Sequence, residues 1–290
     1  MDVRSILIGV AFVAMWSSAF ATAHIIVAEV PPFTTLSVRF AISGLIAVTI
    51  ARTLGQTWRL TRAQTISVII FGICQNALYL GLNFTALQWT PASVAAIIAS
   101  SMPLIVAALG WAMGRERLPA MGVAGLILGF AGVILIMGTR VQGGVQPSGI
   151  LLCIGGAIAL AIATLSVKGA SSGGNLLMIV GLQMLVGSLT LTPFALFETL
   201  PDTISTKALF AFAYQILIPG LAATILWFTL VARIGTVRAA AYHFLNPFFG
   251  VAIAAWLLAE PIVWQDILGV VIIMAGIYAV QRARMRITPN

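Results

Sequence analysis

Charged residues are scarce in this chain of 290 residues, and their scarcity is the most informative feature of the sequence. Only 8% of the residues are charged, whereas hydrophobic residues make up 61%. An ordinary soluble domain carries about 25% charged residues, so a soluble globule of this composition could not cover its surface with polar groups. The composition excludes a cytosolic enzyme, a secreted scaffold and a disordered interaction protein. It predicts an integral membrane protein.

Cysteine, histidine and acidic residues are also few. The chain has two cysteines, two histidines and seven Asp and Glu. Cys74 and Cys153 lie in apolar runs, where cysteine behaves as a small buried hydrophobe, so we predict neither a disulfide nor a metal site. The isolated histidines and the lack of paired acids indicate no hydrolytic site. We therefore predict no cofactor and no enzymatic activity.

Long apolar runs recur along the whole chain. A helix needs about 20 apolar residues to cross a membrane, and ten runs of that length are separated by short polar linkers. Spanning β-strands are excluded, because they need only about ten residues of alternating polarity. The predicted fold class is all-α, with ten transmembrane helices near 5–27, 34–54, 65–87, 92–112, 118–138, 148–168, 175–196, 209–232, 237–258 and 263–281.

The excess of fifteen basic over seven acidic residues predicts an orientation, not nucleic-acid binding. Cytoplasmic loops of membrane proteins are rich in Lys and Arg. With a cytoplasmic N-terminus, twelve basic residues fall on cytoplasmic segments. The opposite side holds three basic and five acidic residues: Arg39, Arg140, Lys207, Glu29, Glu198, Asp202, Glu260 and Asp266. We therefore predict that both termini are cytoplasmic.

The two halves of the chain resemble each other at an offset of 144 residues. Residues 83–137 align with 227–281 without a gap, and Pro103 meets Pro247, as Glu116 meets Glu260. This match predicts two five-helix repeats, over 1–141 and 145–290, that form one membrane unit. Because five is odd, the second repeat must enter the membrane inverted. Inverted repeats are typical of secondary transporters, whose substrate site lies where the halves meet.

Several motifs resemble those of a known family. The segment 16–20, WSSAF, is similar to the W-G-S-S-F opening of EamA-type proteins in the drug/metabolite transporter superfamily, although Ser17 stands where glycine is usual. Arg39-Phe40 and the repeat residues around Pro103 and Pro247 also match that pattern. The resemblance covers nearly the full chain and implies ten helices in inverted repeats and export of small organic solutes. Within the superfamily the chain is most similar to YddG-type exporters of aromatic and other neutral amino acids, although no motif carries this narrower likeness.

Polar side chains inside the predicted spans mark the candidate substrate site, since such groups usually face a bundle interior or a wet cavity. Asn76, Tyr79 and Asn83 form one stripe on the third helix, and His243 and Asn246 form another on the ninth. Hydrogen bonding between helices is the competing explanation for the first stripe, and a static packing kink is the competing explanation for Pro247 beside the second and for its repeat counterpart Pro103. The remaining candidate substrate-binding residues are Trp16, Ser17, Ser100 and Trp227, and the candidate hinges are Pro103, Pro219, Gly220 and Pro247.

These features predict an exporter of small neutral or zwitterionic metabolites, with amino acids as the favoured class, which works by alternating access in the inner membrane. No Asp or Glu lies in the middle of a predicted span, so we expect no obligatory ion coupling. Two other transporters remain open: a proton-coupled drug or metabolite exporter that uses His243, and a nucleotide-sugar-like carrier, for which no cavity cation is apparent. A lipid enzyme is the alternative outside transport. The expected partners are a small-molecule substrate and the bilayer, and the sequence leaves the oligomeric state open, a monomer being compatible with it.

Overall fold

The computed structural model describes residues 3–113, 119–166, 173–234, 239 and 242–287. Over these residues it contains ten apolar helices, which we number α1 to α10, and no strand. Each predicted span lies over one of them. Nine have the length and composition of a membrane span, and the tenth, α9, is shorter. The bounds are α1 Val3–Val27, α2 Pro32–Thr53, α3 Arg62–Ala86, α4 Ala92–Ala112, α5 Ala120–Gln142, α6 Pro147–Ser166, α7 Leu176–Ala195, α8 from Thr206–Gln215 through Ala223–Ile234, α9 Tyr242–Leu258 and α10 Trp264–Ile287.

Equivalent helices of the two halves make equivalent packing contacts. Helix α2 packs along α7, α5 packs along α10, and α4 contacts α9. Helix α1 lies against α8 and α9, while its counterpart α6 lies against α3 and α4. Exchanging the halves therefore leaves this set of contacts unchanged, as expected for two repeats related by a two-fold axis.

Side chains that follow α2 and α7 cap the first turns of the opposite helix in this pair. Glu198, after α7, accepts hydrogen bonds from the backbone N–H groups of Phe33 and Thr34 at 3.0 and 2.6 Å. At the other end, the side-chain oxygen of Gln56, after α2, accepts one from the N–H of Met178 at 2.9 Å. Each cap satisfies N–H groups that have no partner within their own helix. The repeat thus extends to the capping of its helices.

Carboxylates also cap two other helices at the end where Glu198 lies. Glu260 accepts from the N–H of Ala92 at the start of α4 at 2.6 Å. Glu29 accepts from the N–H and hydroxyl of Ser205 before α8, and these two donors hold the pKa of the Glu29 carboxyl below its usual value. Negative charge is favourable at a helix N-terminus. We call this the acidic end of the bundle, and the opposite end, with Arg52, Arg59 and Arg62, the basic end. Glu116, the repeat counterpart of Glu260, lies outside the described residues.

Candidate functional site

A cavity lies between α1, α2, α3 and α8. Its volume is about 40 Å³, which is room for roughly three water molecules when each needs about 10–15 Å³. Polar and aromatic side chains share its wall with small apolar ones. The lining residues are Trp16, Ala19, Phe20, Ala23, Arg39, Gln75, Tyr79, Leu80, Asn83, Phe84, Leu87 and Pro219.

Irregular helix turns border the cavity on two sides. Helix α3 widens into a π-helix over Gly72–Tyr79, and α8 does so over Ile216–Ala222. The two segments begin 144 residues apart, at equivalent positions of the repeats. Pro219 lies within the second, and proline cannot donate the backbone hydrogen bond of a regular helix. Because π-turns inside helices are frequent at functional sites, the two π-turns beside this cavity make it a candidate functional site.

Helices α4 and α9 are interrupted at the predicted prolines. In α4 the α-helix stops at Ser100 and resumes at Met102, one residue before Pro103. In α9 a 3₁₀ turn over Tyr242–Leu245 precedes the α-helix that contains Pro247. The kinks thus lie at matching positions in the two repeats. Whether Pro103, Pro219, Gly220 and Pro247 act as hinges stays a prediction.

Four of the predicted residues meet at the cavity, namely Trp16, Tyr79, Asn83 and Pro219. Tyr79 and Asn83 are 2% and 1% exposed. The amide nitrogen of Asn83 donates to the backbone oxygen of Tyr79 at 2.8 Å. Its side-chain oxygen is buried and accepts no hydrogen bond from the residues that the structure describes. Asn83 therefore presents a free acceptor in a largely apolar site.

A second group of predicted residues forms an aromatic cluster toward the basic end. The ring of His243 lies 5.2 Å from Trp227, 5.4 Å from Phe12 and 6.5 Å from Trp16, measured between ring centroids. The side-chain nitrogen of Asn246 lies 2.9 Å from Nδ1 of His243. Because Trp16 belongs both to this cluster and to the cavity wall, the two groups of residues are continuous.

Three predicted residues make other contacts. The amide nitrogen of Asn76 donates to the backbone oxygen of Gln183 on α7 at 2.9 Å, so Asn76 joins two helices. The hydroxyl of Ser100 donates to the backbone oxygen of Ala96 within its own helix. Ser17 is 2% exposed, and its hydroxyl has no partner among the described residues. The hydrogen bonds of Asn76 and Ser100 are therefore those of helix packing, whereas Ser17 makes none.

Arg39 is the cavity residue that the sequence interpretation missed. We expected it near the outer face and saw no cation available to a cavity, but the structure places Arg39 in the cavity wall with 5% of its surface exposed. It lies seven residues after Pro32 at the start of α2, which is roughly 10 Å along the helix axis at 1.5 Å per residue. The sequence signal for this position is an arginine inside an apolar run. The sequence analysis assigned Arg39 to the outer side of the membrane and therefore did not consider it for the cavity.

An open vestibule lies beyond the cavity at the acidic end. Its volume is about 340 Å³, and residues 27–31 of the α1–α2 connection, Gln88 and residues 199–201 line it. A single layer separates it from the cavity, because Ala23 and Leu87 line the cavity one turn or less away from Val27 and Gln88. Nδ1 of His24 lies 2.8 Å from the backbone oxygen of Leu87 and links α1 to the end of α3 in this layer. Within the described part of the chain, no group of His, Cys, Asp or Glu could hold a metal ion.

Known proteins resemble this chain in sequence. "Uncharacterized transporter YvbV" of Bacillus subtilis is 27% identical over 281 residues, which cover 94% of this chain and 90% of that protein. "Probable amino-acid metabolite efflux pump" of Salmonella typhimurium is 25% identical and covers 92% of this chain and 91% of its own length. "Aromatic amino acid exporter YddG" of Ancylobacter novellus is 30% identical over 138 residues, or 47% of each chain.

A solved crystal structure shares the fold. It superposes over 100% of both chains with a TM-score of 0.67 at 18% sequence identity. The profile of the EamA-like transporter family matches twice, over residues 3–138 and 147–282, which start 144 residues apart and correspond to the two five-helix halves. The chain is therefore a multi-pass membrane protein that belongs to the EamA-like transporter family.

Proposed function

We propose that this protein exports small zwitterionic or neutral metabolites, with amino acids as the favoured class, by alternating access. The observation that supports this most is the cavity, in which Trp16, Tyr79 and the free acceptor of Asn83 surround one space between the two repeats. Its aromatic wall suits an apolar side chain, and the amide oxygen suits an ammonium group. The names of the Salmonella and Ancylobacter relatives point to the same class of solute.

Access to the site would alternate between the two ends of the bundle. The cavity of about 40 Å³ is too small for an amino acid, so helices must separate before a solute can enter. Opening the layer at His24 and Leu87 would join the cavity to the vestibule at the acidic end. On the opposite side, the cluster of Trp16, Trp227 and His243 would have to part. The paired π-turns and proline interruptions offer places where helices can bend without breaking regular hydrogen bonds.

Counterflow into liposomes tests the proposed function. Purified protein is reconstituted into liposomes that are loaded with one unlabelled amino acid at high concentration. Uptake of the same amino acid in labelled form is then measured, and the assay is repeated for each of the twenty amino acids. We expect saturable exchange for a subset that includes aromatic or large neutral amino acids, and none in protein-free liposomes. Failure of all twenty amino acids to exchange would contradict the proposal.

The proposed orientation places the acidic end outside the cell and both termini in the cytoplasm. Single cysteines at Ile262 and Leu54 test it, because both side chains are well exposed and lie at opposite ends. Cys74 and Cys153 are replaced first. A membrane-impermeant maleimide should label Ile262→Cys in intact cells and Leu54→Cys only after permeabilisation. Labelling of both positions from one side would contradict the inverted repeat.

Two asparagines on α3 should respond differently to alanine. Asn83→Ala removes the free acceptor at the cavity, so solute affinity in counterflow should fall by roughly fivefold, which corresponds to about 1 kcal/mol for one hydrogen bond. Asn76→Ala removes the hydrogen bond to Gln183 instead. We expect Asn76→Ala to lower the melting temperature and leave the affinity close to that of the unmodified protein. The reverse outcome, with affinity lost only in Asn76→Ala, would mean that the two residues have been assigned the wrong roles.

A further inference from the structure

Arg39 is a buried cation whose nitrogens have too few partners. Only 5% of its surface is exposed, and Nε and Nη1 are buried without a hydrogen bond to any residue that the structure describes. The guanidinium group stays charged at any physiological pH and carries only donors. The guanidinium carbon lies 5.4 Å from the centroid of the Phe40 ring, but the ring supplies neither a countercharge nor an acceptor for Nε and Nη1. A buried charge without a counter-ion is strongly unfavourable, so this geometry calls for an anion in the cavity.

Arg140 gives a contrast within the same chain. Its Nε and Nη2 donate to the two carboxylate oxygens of Asp266 at 3.2 and 2.7 Å, and Asp266 is completely buried. Nε of Arg39 lacks such a partner. The acids of the described residues are Glu29, Glu198, Asp202, Glu260 and Asp266, and all of them lie at helix ends or in loops.

Snorkelling toward the lipid headgroups does not explain the position of the Arg39 side chain. A long basic side chain near a helix end can extend along the membrane interface and keep its charge in water. Such a side chain would be exposed to solvent, whereas Arg39 is buried and lines the same cavity as Tyr79 and Asn83. The guanidinium therefore faces the proposed solute path.

We propose that Arg39 forms a carboxylate subsite, so that the transported solutes must carry a carboxylate group. This inference rests on the proposed function and names the chemical group that the site selects. Arginine binds a carboxylate through two parallel charge-assisted hydrogen bonds. The amide oxygen of Asn83 is then available for the ammonium group of a zwitterion, and Trp16, Phe20 and Phe84 contact the remaining side chain. A cavity of this kind selects for a carboxylate more strongly than for the length or shape of the apolar part.

Matched pairs of carboxylic acid and primary amide test the subsite. The purified protein is titrated with phenylalanine and phenylalaninamide, leucine and leucinamide, and 3-phenylpropionate and 3-phenylpropionamide, and binding is followed by tryptophan fluorescence. In the unmodified protein at least one acid should bind about tenfold or more tightly than its amide. Arg39→Gln should abolish this preference, and Arg39→Lys should restore part of it. No preference for any acid over its amide, including the case in which nothing binds, would overturn the subsite.

Thermal stability without solute provides a second readout. Arg39→Gln removes a buried charge that has no counter-ion and gives up only its contact with the Phe40 ring, so its melting temperature should equal or exceed that of the unmodified protein. Arg140→Gln breaks a buried ion pair and should lower the melting temperature, which makes it the matched control. A clear loss of stability in Arg39→Gln would mean that Arg39 has a structural partner, and would overturn the proposal. If 3-phenylpropionate shows the preference and amino acids neither bind nor exchange, the carboxylate subsite stands and amino-acid export is wrong.

Discussion

Replacing Ala19 with tryptophan is expected to reduce counterflow to the level of protein-free liposomes. Ala19 lines the cavity from α1, and an indole ring would occupy more than the whole space of about 40 Å³. A solute that had to share the site with the indole ring would meet an overpacking cost of up to about 3 kcal/mol, and a cost of this size in the bound state would lower its affinity about 150-fold. The solute would also lose the space that it must enter before the bundle can change conformation.

A tryptophan elsewhere on α1 gives the control for this substitution. Leu7 is 64% exposed on the outer surface of the same helix, so Leu7→Trp should keep both flux and melting temperature. Size-exclusion profiles of the two variants establish whether each remains folded in detergent. Full flux through folded Ala19→Trp would mean that solute passes elsewhere.

An imposed pH gradient is expected to produce no accumulation of solute above equilibrium. Arg39 and Tyr79 line the cavity, His243 and His24 lie beside it, and the acids of the described residues lie at helix ends or in loops. Arginine does not release its proton at physiological pH. A zwitterion carries no net charge, so transport without a coupled proton follows only the solute gradient, and export follows when the cell interior holds the higher concentration.

The measurement is uptake of labelled solute into liposomes with and without a gradient of two pH units. A carrier that obligatorily moves one proton per solute could accumulate solute about 100-fold, because each pH unit is worth about 1.4 kcal/mol. We expect an inside-to-outside ratio of one in both conditions. Accumulation above equilibrium would contradict the uncoupled mechanism. Its loss in His243→Gln, but not in His24→Gln, would assign the proton to His243, since histidine side chains titrate nearest neutral pH in ordinary surroundings.

The spans were predictable because the bilayer imposes their length and apolar character, and the repeat was predictable because the two halves match in sequence. A crossing helix must be long and continuously apolar, and this constraint is visible in one sequence without any tertiary information. The offset of 144 residues follows from proline and glutamate matches, and the family profile places its two matches at the same offset. Neither conclusion depends on how the helices rotate against one another.

The site was harder to predict because it depends on helix rotation. The stripe of Asn76, Tyr79 and Asn83 assumes a regular α-helix, whereas Gly72–Tyr79 forms a wider π-helix in the structure. The wider turn changes the angle between successive side chains, so Asn76 contacts α7 while Tyr79 and Asn83 line the cavity. A propensity argument does not reveal where a π-turn begins.

The position of Arg39 was hard to predict for the same reason. The distribution of basic residues over the loops predicts the orientation of the protein. It does not distinguish an arginine that reaches the membrane surface from one that points into the bundle. The choice depends on which face of α2 meets its neighbours. In the structure α2 packs along α7 through Ser37 and Thr192, whose hydroxyls lie 2.8 Å apart, and Arg39, two residues after Ser37, faces the cavity.

An experimental structure with a bound solute is the most direct test of the central claim that solutes bind in the cavity between α1, α2, α3 and α8. The ligand should be the amino acid with the highest counterflow rate. We predict its carboxylate at roughly 2.7–3.2 Å from the Arg39 guanidinium, with its side chain between Trp16 and Tyr79. Density for the ligand only among Trp227, His243 and Asn246, or only on the lipid-facing surface, would contradict the account.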